Sequence, residues 1–280
     1  MVRIAISSDN HLDVNQVEPQ KALAMQAQYL QACGVQYYFY AGDLFNDFDQ
    51  TRRYMAALRT RLANRVQVYY IAGNHDLLQH APFELTEHLA DPGYLHRRSV
   101  DLTGTNWRVV GNNGWYDYSF STYRDEPAAV RQWKRVYWLD SEIDQPGDDQ
   151  KRMQGVLDQV ADQLVTAKDA GKRVLFLTHF APRHELLAPR PAAVQTPRRE
   201  RFYQMINAMM GSDRLGELLE SMGNVKDVFY GHLHGNHPPL ERNGVTYFNQ
   251  AVGVRNKRIN EWQRADFTAQ WQASLRIMDF

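Results

Sequence analysis

Cysteine is almost missing from this chain. Cys33 is the only one in 280 residues, which excludes any disulfide within the chain and the small disulfide-stapled folds of secreted proteins. Long apolar runs are missing too. None reaches the roughly 18 residues that a membrane-spanning helix needs, and no membrane association is expected. Charge of one sign is also lacking: Lys plus Arg number 32 and Asp plus Glu 32. A dedicated nucleic-acid binder shows a broad electropositive footprint, so nucleic acid is not an expected partner. Internal repeats, low-complexity tracts and linkers are absent. Met1 runs directly into the first apolar stretch, leaving no room for a signal peptide, and a cytoplasmic location is expected. What is present is a 44% apolar chain, enough for a substantial core. One domain over residues 1–280 is expected.

Five short motifs occur in a fixed order, and all carry side chains that bind metals. They are Asp9-Asn10-His11, Gly42-Asp43, Gly73-Asn74-His75-Asp76, His179 and Gly231-His232-Leu233-His234. Carboxylate, imidazole and amide donors in such a series can hold two divalent cations side by side. Paired cations clamp and hydrolyse phosphate esters. With no thiolate among the donors, the set suits Mn, Fe, Zn, Ni or Co, without ranking them, over a sulfur-selective metal.

Each motif follows a short run rich in β-branched and aromatic residues, as a buried strand would supply. The runs are Val2 to Ile6, Val35 to Tyr40, Val66 to Ile71, Val174 to Leu177 and Val225 to Tyr230. Helical stretches at Pro19 to Ala32, Gln50 to Ala63 and Asp149 to Ala170 lie between most of them. Alternating strands and helices predict an α/β fold with a largely parallel sheet. Ligands of such sheets sit beyond the carboxyl ends of the strands, where all five motifs fall. Asp9 and His11, two apart on an extended segment, can point one way. The glycines before Asp43, Asn74 and His232 suit sharp strand-to-loop turns. Val245 to Asn249 and Ser274 to Met278 read as antiparallel strands.

In these motifs the sequence resembles the calcineurin-like metallophosphoesterase family, whose pattern is D-x-H, G-D, G-N-H-[DE], H and G-H-x-H. The match runs from Asp9 to His234. The resemblance implies a four-layer αββα sandwich of two mixed sheets flanked by helices. It implies two divalent metal ions, one held by Asp9, His11, Asp43 and His234, the other by Asp43, Asn74, His179 and His232, with Asp43 as the bridge. It further implies that a hydroxide bridging the metals attacks a phosphate mono- or diester. His75 resembles the family's general acid, which protonates the leaving alkoxide or steadies the phosphoryl oxygens. Asp76 either orients His75 or caps the following turn.

Two insertions are expected, at about 112–148 and 180–211. The first is aromatic-rich and includes Trp115, Tyr116 and Tyr118; the second carries Arg183, Arg190, Arg198, Arg199 and Arg201. In these two segments the chain resembles a small group of uncharacterised bacterial phosphoesterases. Either insertion can serve packing or the rim of a substrate pocket. Trp115, Tyr116, Tyr118 and Arg183 are the candidate substrate contacts. The expected substrate is a small-molecule or nucleotide phosphate ester. The alternative is a DNA-repair-type, Mn-dependent nuclease subunit, which Gly42-Asp43-Leu44-Phe45 resembles. Against it, Asn46 stands where those nucleases often carry His. Oligomeric state is not legible in the sequence.

Overall fold

The computed structural model describes residues 1–63, 65–79, 81–235 and 237–280. The chain begins with a parallel β-α-β-α-β run: β1 (Arg3–Ser7), α1 (Pro19–Ala32), β2 (Tyr37–Ala41), α2 (Phe48–Leu62) and β3 (Gln67–Ile71). Local chemistry sets the helix ends. Glu18 caps α1 by accepting from the backbone of Gln20 and Lys21, with Pro19 in the first turn. Asp47 caps α2 by accepting from Gln50 N. Such caps satisfy backbone donors that a helix start leaves open.

Next come α3 (Phe83–His88), β4 (Arg98–Asp101), β5 (Trp107–Gly111), α4 (Pro127–Tyr137), α5 (Asp149–Asp169) and β6 (Arg173–Leu177). The chain finishes with α6 (Pro197–Asn207), α7 (Asp213–Ser221), β7 (Val225–Tyr230), β8 (Leu240–Arg242), β9 (Val245–Asn249), α8 (Phe267–Ser274) and β10 (Arg276–Asp279). Two sheets result, in the orders β10-β1-β2-β3 and β4-β5-β6-β7-β9-β8. Both are mixed. Strand β10 runs antiparallel to β1, and β4 antiparallel to β5.

Alternation along each strand divides the core in two. Ile4, Ile6, Tyr37, Phe39, Leu175, Leu177 and Phe229 form one cluster between the sheets. Their neighbours Ala5, Tyr38, Tyr40, Val174, Phe176 and Val228 join the other cluster, beneath the helices. Successive strand residues face opposite sides, so strands buried on both faces read as continuous apolar runs. The architecture is the αββα sandwich of two mixed sheets flanked by helices. Among the described residues, no helix is long and apolar enough to cross a membrane.

The C-terminal expectation needs correction. Val245–Asn249 pairs parallel with β7 and antiparallel only with β8. Ser274 ends a helix, and the last strand starts at Arg276 in the other sheet. Alternation marks a strand but carries no information on its partner.

Candidate metal centre

The loops after β1, β2, β3, β6 and β7 deliver Asp9, Asp43, Asn74, His179 and His232 to one edge of the sandwich. Donor atoms of Asp9, His11, Asp43 and His234 lie within 4.8 Å of one another, as do those of Asp43, His179 and His232. Asp43 belongs to both groups. Its Oδ2 lies 3.6 Å from His11 Nε2 and 3.3 Å from His179 Nε2. Asn74 Oδ1 sits 3.0 Å from His179 Nε2 and 3.1 Å from His232 Nδ1. His234 Nε2 is 3.2 Å from Asp9 Oδ1 and 3.0 Å from His11 Nε2.

The backbone is bent to achieve this. Asp9, His11, Asp43 and His232 all have positive φ, between 43° and 63°. Non-glycine residues adopt that region at a cost, and such strain clusters at functional sites. Asp9 and His11 are therefore not on an extended segment, as their spacing suggested; alternate left-handed residues turn both side chains inward. The glycines act in two ways. Gly42 has φ of 91° and supplies a turn. A Cβ on Gly73 would lie 2.2 Å from Asp43 Oδ1, and one on Gly231 2.3 Å from Asp9 Oδ2. Those two are needed for room and not for a bend.

The donor set fits divalent cations. Asp9, His11, Asp43, Asn74 and His179 are buried. Asp9 Oδ2 and His232 Nε2 are buried without any hydrogen-bond partner, and buried charges are normally paired or bound to metal. In the metal-free protein, burial drives His11 and His232 down to about 3. Burial opposes protonation of His179 and His234 as well, but Asp43 raises His179 to about 9, and Asp9 with Glu261 raise His234 to about 10. Each group thus pairs a neutral imidazole with a protonated one. Protons offset the carboxylates where cations would.

Several supporting residues have no signal in the sequence. Glu261 Oε2 lies 2.9 Å from His234 Nδ1. Ala41 O accepts from His179 Nδ1 at 2.8 Å. Asn74 Nδ2 donates to Asp140 Oδ1 at 2.8 Å, which turns the amide oxygen toward the histidines. Asp76 neither orients His75 nor caps the next turn. It accepts from Asp43 N, Leu44 N, Gly73 N and Thr51 Oγ1, so it ties the Gly42-Asp43 loop to the Gly73-Asn74 loop. Only tertiary contact reveals such partners; they come from distant segments.

His75 lies beside the cluster. Its ring meets His11 edge-on at 4.6 Å between centroids, and its backbone N donates to Asp43 Oδ1 at 2.8 Å. Its Nδ1 is 2.6 Å from Asn46 Oδ1, the residue three after Asp43.

A cavity of about 380 Å³ opens over the centre. Asp43, Asn74, His75, His232 and His234 form one wall, and Trp138, Leu139, Leu187, Pro189, Tyr203 and Met210 the other. The opposite wall comes from the segments 112–148 and 180–211, but not from the residues singled out in them. Trp115, Tyr116 and Tyr118 are fully buried. Trp115 stacks on Tyr116 at 4.6 Å, and Trp115 Nε1 and Tyr118 OH both donate to Asp149 at the start of α5. Arg183 is also buried and gives its Nε to Glu220 at 2.8 Å. The structure brings none of these four to the cavity. Their expected contact with substrate is corrected to packing and ion pairing, which local composition does not distinguish from a pocket lining.

Known proteins share this fold. A dimetal phosphatase from Danio rerio shares the fold, with a TM-score of 0.53 and 14% identity over 89% of this chain and 86% of that one. GAP50, the anchor in the inner membrane complex of Plasmodium, aligns with a TM-score of 0.49 and 12% identity over 91% and 76% of the respective chains. No curated protein matches this sequence. The family model for calcineurin-like phosphoesterases matches residues 2–236: the chain belongs to the calcineurin-like phosphoesterase family.

Proposed function

We propose that this protein hydrolyses phosphoric esters at a two-metal centre, with Asp43 as the shared ligand. Asp9, His11 and His234 would complete one site, and Asn74, His179 and His232 the other. The observation that carries the reading is the position of one carboxylate between two clusters of imidazoles. Two divalent cations bound there would polarise the phosphoryl group and activate water.

The remaining roles belong to the protein. His75 lines the cavity and has Nδ1 anchored by Asn46. Its other ring nitrogen is then the one available to give a proton to the leaving oxygen, the role of a general acid. Asp140 and Glu261 hold Asn74 and His234 in orientation, as outer partners of ligands commonly do. Trp138, Leu139, Leu187 and Tyr203 give the cavity an apolar side. Small-molecule esters suit a chain with 32 basic and 32 acidic residues better than a nucleic-acid backbone, which calls for a broad basic track.

The test is hydrolysis of nitrophenyl phosphate and bis-nitrophenyl phosphate by purified protein. Activity should vanish on exhaustive chelation and return with Mn. Undiminished turnover after chelation would overturn the proposal.

A further inference from the structure

The cavity at the centre has a neighbour. Pro191, Tyr203 and Ile206 line it, and the same three line a larger trough of about 870 Å³ between α4 and α6. Ala129, Trp133, Val194 and Ile206 are among the apolar residues that wall the trough. Val136, Tyr137 and Phe202 also line it and stand 67%, 66% and 52% exposed. Trp133 and Phe202 meet edge to face at 5.4 Å. Apolar side chains concentrated in one exposed patch mark a binding surface more often than isolated ones do. The rim is basic. Arg190 is engaged by Glu200, and Arg199 by the Ala193 carbonyl, while Arg198 and Arg201 are exposed at the trough.

We propose that this trough holds an aliphatic tail of the substrate. The esters hydrolysed are then amphipathic: phosphate at the metals, hydrocarbon between α4 and α6, and further negative charge under Arg198 and Arg201. This inference rests on the phosphoesterase reading above. It is favoured over a nucleobase by the chemistry of the lining. A base has a polar edge, and a site that selects it must match that edge with hydrogen bonds. Beyond the arginines, the side-chain polar groups among the described lining residues are those of Gln132, Thr196, the Trp133 indole and the Tyr hydroxyls, few for the edge of a base. An aliphatic chain asks for none, and it would cover Val136 and Phe202. The shared wall at Tyr203 and Ile206 places the tail next to the reacting phosphate.

The experiment compares nitrophenyl alkyl phosphate diesters with methyl, butyl and octyl tails, kept below micelle-forming concentrations, on the Mn-loaded protein. Each buried methylene should raise kcat/KM by up to about four-fold, until the trough is filled. Phe202→Asp and Val136→Asp should flatten that rise. The readout is the octyl-to-methyl ratio within each protein, which a general loss of activity does not alter. A ratio near one in the wild type overturns the proposal, and so does a rise that survives in both variants. Absence of turnover with every ester would count against the phosphoesterase reading instead. Calorimetric titration with methyl, butyl and octyl phosphate then reads the trough directly. Affinity that grows with tail length and is lost in Phe202→Asp upholds the proposal; length-independent binding overturns it. A flat series together with a dimer that Phe202→Asp dissociates would assign this face to a second copy of the chain, and also overturns it.

Discussion

Glu261 Oε2 lies 2.9 Å from His234 Nδ1, and the opposite nitrogen of that ring lies 3.2 Å from Asp9 Oδ1. The imidazole stands between a carboxylate outside the donor cluster and one inside it. An outer carboxylate fixes the tautomer, so that Nδ1 keeps its hydrogen and Nε2 faces the centre. Glu261→Gln should weaken metal affinity on the Asp9 side by about 10- to 100-fold. Affinity on the Asn74 side should stay close to that of the wild type. Titration against a competing chelator resolves the two sites, and equal weakening of both would contradict the assignment.

Metal count provides a second check. The purified protein should load close to two metals per chain. Asp43→Asn should weaken both sites, whereas His11→Ala should mainly empty one. Elemental analysis decides the matter: a single metal that persists in Asp43→Asn would refute the shared ligand.

Protons compete with metal here, which fixes the sign of the pH dependence. His179 and His234 hold protons up to about 9 and about 10 in the metal-free protein, and a ligand must be deprotonated to bind. Metal affinity should therefore rise with pH and level off only above those values. Calorimetry in buffers of different ionisation enthalpy should detect proton release at neutral pH. Stability of the metal-free fold runs the opposite way. Both groups are raised above the unfolded histidine value of about 6.5. Their contribution is fully present below that value and is lost as pH climbs through about 9 and about 10. Affinity that does not change between neutral and mildly alkaline pH would exclude this competition.

His75→Ala should keep its metals and lose turnover by about 10²- to 10⁴-fold. The loss should shrink for nitrophenolate, a leaving group that needs little protonation. Asn46→Ala should show a smaller loss with the same leaving-group trend, because Asn46 only anchors the ring. A uniform loss across leaving groups would identify a phosphate-positioning role instead.

Tyr116→Ala removes a buried ring stacked on Trp115 and packed edge-on to Phe180 at 5.4 Å. Truncation of a buried aromatic costs about 3–5 kcal/mol. Chemical denaturation should show that drop, while KM of the folded fraction stays unchanged. A changed KM with native stability would restore the substrate-contact reading of this residue.

The donors and the supporting residues differ in how far the sequence reveals them. Asp9, Asp43 and His232 each follow an apolar run, and the rule that loops leave parallel strands at a common edge brings them together without further information. Pro19 and Gly34 delimit helix α1. Strands β4 and β8 leave no such trace: Arg98–Asp101 is mostly exposed and Leu240–Arg242 has three residues, too little pattern to read. Glu261 and Asp140 escape notice for a different reason. A single carboxylate in a polar segment looks the same whether it meets solvent or a histidine. Tyr116 and Arg183 mislead because aromatic and basic side chains serve a buried core and a pocket wall equally well.

Asp76 touches none of the proposed metals, yet its one carboxylate gathers backbone donors from both the Gly42-Asp43 and Gly73-Asn74 loops and reaches Thr51 on α2. The shared ligand and the amide ligand are thus fastened to a single internal post. Exchange of one cation for another of different radius cannot be absorbed by sliding these two loops apart. It would fall to ligands that Asp76 does not reach, among them His234, whose ring is held by the segment that carries Glu261. Choice of metal would then depend in part on how far that segment yields, a place outside every motif that announced the centre.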